Sequence, residues 1–202
     1  MMIKRKLQVI FYSISISIFL LPFNLKSKTV LDVISDDKNL TIFNSYLKKT
    51  GLDRVLEKKL PWNWTIFAPS NKAFKEAPKM LKDQILDDGI LSKFILMDHI
   101  MTGHKTSLDI GEEITTQITV SNKPIQIYKS EKLFVKDMVV VKENLIGNNG
   151  VIHIIDCIMF VQPSIDDDRV PLDLGKEFPI TSCCMRDNNE IQIFKKAAEN
   201  KY

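Results

Sequence analysis

With 202 residues, 45% of them hydrophobic and 26% charged, the chain has the apolar content for one ordinary globular core and appendages at both ends. Its formal net charge of +3 belongs to the first 28 residues, where Lys4, Arg5, Lys6, Lys26 and Lys28 meet no acid, so the body is slightly acidic. That distribution, with no basic stripe interleaved with aromatics, gives no footing to a nucleic-acid partner.

Residues 1–28 have the layout of a secretory signal. A basic start at Lys4-Arg5-Lys6 precedes an apolar run from Leu7 to Phe23, interrupted by Gln8 and small serines. The run is near the lower edge of a bilayer-spanning length, so an uncleaved N-terminal membrane anchor is the competing reading. The segment predicts an exported protein, either secreted, periplasmic or held at the cell surface.

From Thr41 to Thr50, Phe43, Tyr46 and Leu47 recur at helical spacing, with Thr41 as the expected N-cap and Gly51 as the stop. A second short helix follows through Leu52, Val55 and Leu56. Thr65 to Phe67 then reads as a buried strand that Pro69 ends, since proline cannot donate to a ladder, and Ser70 caps a helix beginning at Asn71. Phe67 and Phe74 are expected to plug the one core at this strand-to-helix corner.

Two helices are predicted between Met80 and Met101, separated at Asp88-Gly89 by a glycine in the left-handed conformation. Leu91, Ile95 and His99 recur every four residues, which turns His99 inward, and Gly103 is expected to break the helix before His104. After Gly111 the period becomes two. Ile114, Thr116, Ile118 and Val120 alternate, Ser121 to Pro124 turns the chain, and further strands run through Ile125, Ile127 and Leu133 to Val141. Asn148-Asn149-Gly150 supplies a tight turn suited to positive φ. Val151 to Val161 is the closing strand, with both faces buried. His153 and Asp156 point to opposite sides of it and each requires its own hydrogen-bond partner.

Cys157 falls within that apolar pattern as a small buried hydrophobe. For Cys183 and Cys184, a bond to Cys157, a bond to another chain and two free thiols all remain open. From Ser164 the chain is a C-terminal extension that begins with an acidic linker. It contains Pro171 and Pro179, and Ile191, Phe194 and Ala198 pattern as a short amphipathic helix over 189–200.

No nucleophile elbow, phosphate loop or H-E-x-x-H motif occurs, and His99 and His104 lack metal-ligand spacing, so neither catalysis, metal nor cofactor is predicted.

Two stretches carry more information than the rest. Thr65-Ile66-Phe67-Ala68-Pro69-Ser70-Asn71-Lys72-Ala73-Phe74 and, further on, Asn149-Gly150-Val151-Ile152-His153-Ile154-Ile155-Asp156 resemble in order and spacing the paired motifs of fasciclin domains. The resemblance spans residues 29–163. It implies an α+β fasciclin-like fold, a β-sandwich or wedge with several α-helices packed on it, and a non-enzymatic adhesion or binding module outside the cytoplasm. It implies structural roles for Thr65, Phe67, Ala68, Pro69, Ser70, Asn71, Phe74, Asn149, Gly150, His153 and Asp156. Fasciclin domains commonly carry a Tyr-His pair linked to receptor binding where this chain has Asp98-His99; the histidine matches and the tyrosine does not. By that analogy the interaction surface comprises Asp98, His99 and the loop through His104. Its expected partner is a cell-surface or matrix protein or a polysaccharide. An exported small-molecule or polysaccharide-binding protein is the alternative, recognisable by a concave apolar pocket. Leu31-Asp32-Val33 resembles an integrin-binding tripeptide, and Asn39 and Asn63 lie in glycosylation sequons.

Overall fold

The structure is a computed structural model that describes residues 27–159 except Met80 and Asp137, together with Gln192 and Lys196. Residues 1–26 of the leader and most of the extension, including Cys183 and Cys184, lie outside the described residues. Among the described residues no helix is long and apolar enough to cross a membrane.

Three helices come first: α1 (Val30–Asp36), α2 (Thr41–Thr50) and α3 (Asp53–Leu56). Thr29 caps α1 in a reciprocal capping box with Asp32. Asp32 is thereby engaged, so the Leu31-Asp32-Val33 tripeptide is one turn of a capped helix. Gly51 ends α2 at φ 73° as the sequence requires. Thr41 is the first helical residue of α2 and does not cap it. Its N-terminus is satisfied from a distance: Asn71 Oδ1 accepts from the Ile42 N–H at 2.9 Å, and Asn71 Nδ2 donates to Thr41 Oγ1 at 2.9 Å.

Strand β1 (Trp64–Pro69) is buried along its whole length, and Ser70 Oγ accepts from the Ala73 N–H to cap α4 (Asn71–Glu76). A π-helical stretch, Leu81–Leu86, stands where a regular helix was predicted, and α5 (Gly89–Asp98) follows. The glycine at this junction does not stop the preceding helix. Gly89 opens α5, and Asp88 caps it by accepting from the N–H groups of Ile90 and Leu91. The helix ends at Asp98, before Gly103, because the chain turns into β2 (Ile100–Thr102).

Five more strands complete the fold: β3 (Thr115–Ile118), β4 (Pro124–Lys129), β5 (Leu133–Val135), β6 (Met138–Gly147) and β7 (Gly150–Ile155). Their order is β2-β1-β7-β6-β5-β4-β3, with β1 and β7 parallel and every other pair antiparallel. A bridge between Met101 and Thr119 brings the far end of the sheet back toward β2, so the sheet nearly closes. The result is an α+β wedge.

Two cores lie on opposite faces of β1 and β7. Ile66, Ala68, Ile152 and Ile154 pack with the helices, through Phe43, Leu47, Phe74 and Ile95. Phe67 and Ile155 face the other way, against Ile125, Ile127, Val135 and Val140 of the sheet's second half. Phe67, on β1, and Phe74, on α4, therefore plug different cores and not the single one expected, since strand alternation turns Phe67 away from the helices.

The closing strand is shorter than predicted. It stops at Ile155, and Asp156 is exposed, not buried, because the backbone leaves the ladder there. Cys157 also departs from expectation: it is half-buried and disulfide-bonded. Strand β3 is solvent-facing as well, with Ile118 and the preceding Ile114 more than half exposed, so the period-two pattern marks the strand without marking a core. In the β6–β7 turn neither Asn149 nor Gly150 has positive φ. Gly150 is needed for closeness instead, since a Cβ there would collide with the carbonyl oxygen of Trp64 on the neighbouring strand.

Candidate interaction surface

Asp98 and His99 are fully enclosed, so neither side chain can touch a partner. This corrects their assignment to an interaction surface. Asp98 accepts from Lys123 Nζ at 3.0 Å, in a salt bridge whose two side chains are 0% and 2% exposed, and from the Ser121 hydroxyl. The pair ties the end of α5 to the β3–β4 turn.

His99 is bonded through both ring nitrogens. Nδ1 lies 2.8 Å from the Ile95 carbonyl, which can only accept, and Nε2 lies 2.7 Å from the Met159 N–H, which can only donate. The ring is therefore the neutral Nδ1–H tautomer, and burial pushes its pKa down to about 4.

His104 is different: it is exposed, on the loop Gly103–Asp109 between β2 and β3. The buried motif residues hold this loop in shape. Thr65 Oγ1 donates to the Gly103 carbonyl at 2.8 Å and accepts from the Lys105 N–H at 3.0 Å. His153 Nε2 donates to the Lys105 carbonyl at 2.8 Å. Its enclosed Nδ1 has no partner among the described residues, and burial lowers its pKa. From the other side Asn144, bulged out of β6 at φ 58°, accepts from the Ser107 N–H at 2.9 Å and donates to Ser107 Oγ at 2.6 Å. Asp109 closes the loop by accepting from the N–H and hydroxyl of Thr106, bonds that also lower its own pKa.

The loop thus has fixed carbonyls and amides at Gly103, Lys105, Ser107 and Thr106, while Leu108 at its tip is 92% exposed. A large apolar side chain held out to solvent on a braced backbone costs little ordering entropy on binding.

The remaining motif residues brace other parts. Asn149 Oδ1 accepts from the Val30 N–H and its Nδ2 donates to the Leu56 carbonyl, both at 2.8 Å, fastening α1 and α3 to the β6–β7 turn. Leu108, Asn144, Ser107 and Lys123 carry weight that the sequence reading missed. A visible signal existed for the loop, the Thr106-x-x-Asp109 spacing of a local cap, but no helix follows it to draw notice.

The wedge with its two motif-bearing strands side by side defines a fasciclin domain. The Fasciclin domain family model matches residues 38–161, and the chain belongs to that family. Among curated relatives, human periostin is 26% identical over 139 residues, 66% of this chain and 16% of periostin. An uncharacterized protein of Synechocystis, sll1735, is 25% identical over 132 residues, 65% of this chain and 97% of its own length. Mouse stabilin-2 is 31% identical over 110 residues, 54% of this chain and 4% of stabilin-2. The chain thus spans a small part of periostin and stabilin-2 and nearly all of the Synechocystis protein. A solved FAS1 domain pair from the insect cell adhesion molecule fasciclin I matches with a TM-score of 0.50 at 21% identity, covering 68% of this chain and 52% of that one. That match concerns the fold.

Proposed function

We propose that the protein is an exported, non-enzymatic adhesion module that binds a cell-surface or matrix protein or a polysaccharide through the loop Gly103–Asp109. The observation that carries this reading is the contrast within that loop. Buried Thr65 and His153 and the bulged Asn144 fix its backbone, yet Leu108 and His104 are presented to solvent. His99 and His153 are each committed to backbone partners, which suits a structural role better than proton transfer. The chain belongs to the Fasciclin domain family, and fasciclin I, which shares its fold, is a cell adhesion molecule. Asn39 and Asn63 are both exposed, as glycosylation of an exported protein would need.

The test is saturable binding of a labelled fragment, residues 29–202, to intact producing cells and to their surface protein and polysaccharide fractions. Saturable, competed binding to one fraction is expected. Leu108→Asp should weaken it at least about tenfold, as loss of a central apolar contact does, while the melting temperature stays put because Leu108 packs on nothing. Asn144→Gly keeps the φ 58° backbone and removes both side-chain bonds to Ser107; it should weaken binding by loosening the loop. A folded fragment that binds no fraction, or binds equally well with Leu108→Asp, would sink the proposal.

A further inference from the structure

Helix α5 has one charged side chain, Lys93, before its terminal Asp98, and its two sides are both apolar. Ser92, Ile95, Leu96 and His99 form the side turned into the molecule. Ile90 and Phe94, at i and i+4, lie on the opposite side, Ile90 62% exposed and Phe94 half-buried, while Met97 at its edge packs against the first core. A helix apolar all round is normally covered on both sides.

Three observations say what covers this one. The last residue described before the extension sits at α5: the Met159 N–H donates to His99 Nε2 at the helix C-cap, with residues 160–202 following in the sequence. Cys157, two residues earlier, is disulfide-bonded, and the only other cysteines in the chain are Cys183 and Cys184. Finally, Gln192 and Lys196 are helical and exposed, one turn apart. In the sequence, Ile191, Phe194 and Ala198 recur at helical spacing out of phase with Gln192 and Lys196.

We infer that the C-terminal extension is strapped to the domain by a disulfide from Cys157 to one of the adjacent pair Cys183 and Cys184, and that its segment 189–200 docks as a helix, Phe194 foremost, on the Ile90-Phe94 side of α5. The reach suffices. Phe94 lies roughly 8 Å back along α5 from His99 at 1.5 Å per residue, and the stretch from Cys184 to Phe194 spans about 15 Å even if wholly helical. The extension is then a fitted cover, beyond the loop proposed for binding, and it takes an apolar surface out of competition for other molecules.

Hydrogen exchange on the oxidised full chain decides the matter. Amides over 190–199 should exchange at least about tenfold slower than in a free peptide. Phe194→Asp and Ile90→Asp should each abolish that protection, and Lys196→Ala should leave it intact. Ile90 is too exposed for its substitution to threaten the core, so an unfolded variant does not confuse the reading. Unprotected amides in the unaltered protein, or protection that survives Ile90→Asp, would overturn the docking. Protection that grows with protein concentration would seat a second copy on α5 and overturn it equally. Peptide mapping without reductant should find Cys157 joined to Cys183 or Cys184; a free Cys157 thiol would overturn the strap.

Discussion

His99 is kept neutral by its position: one ring nitrogen donates to the Ile95 carbonyl, the other accepts from the Met159 N–H, and the side chain is fully buried. With a folded pKa of about 4 against an ordinary 6.5, the unfolded chain binds the proton first as the pH falls. The protein is thus most stable above about pH 6.5 and loses roughly 3 kcal/mol between there and pH 4 from this residue alone. His153, also lowered by burial, acts in the same direction. Urea unfolding across that range, with the His99 ring titration followed by NMR, checks the slope; a stability flat from pH 6.5 to 4 would contradict it. The buried pair Asp98–Lys123 makes a second test at this scale. Lys123→Met strands a carboxylate in the interior and should cost about 3–5 kcal/mol, whereas Asp98→Leu combined with Lys123→Met should recover most of it. A single variant no less stable than the double would refute the account. Sequence alone revealed that His99 faces inward, from the four-residue spacing with Leu91 and Ile95. It could not reveal Asp98's burial, because the partner lies 25 residues away in a turn.

Among elements, the motif strands work as anchors for neighbours. Asn71 caps α2, Asn149 holds α1 and α3, and Thr65 and His153 hold the Gly103–Asp109 loop. These are long-range bonds, and a motif seen in one dimension shows its residues without their partners. Strand and helix identity was legible where local chemistry decides it: Pro69 ends β1, Ser70 caps α4 and Gly51 stops α2. It misled where packing decides, as at Gly89 and the π-helical stretch, or where solvent takes one face, as in β3. The glycines separate two physical reasons for the same residue. Gly51 has positive φ and open space around it, so Gly51→Ala should cost about 1 kcal/mol of strain. Gly150 has ordinary φ and no room, so Gly150→Ala must push β1 and β7 apart and should cost roughly 2–3 kcal/mol. Comparison of the urea midpoints of the two variants gives the order; the reverse order would show that closeness at Trp64 is not what Gly150 is for.

At the scale of the molecule, the family and its wedge were readable because two motifs sit on adjacent central strands, and their spacing encodes the crossover between them. The site was only partly readable. Family analogy offered the loop through His104 as a candidate, and its apolar tip at Leu108 and its brace at Asn144 follow from three-dimensional placement. The parallel pairing of β1 with β7 has a further consequence, in time. Trp64–Pro69 finds its partner only when Gly150–Ile155 is available, more than eighty residues later, and both cores use residues from the two strands. A nascent chain that has not yet reached Ile155 cannot assemble either core. Long-range strand pairing of this kind folds slowly, so synthesis leaves an interval in which the chain remains unfolded and can be handled as an extended polymer.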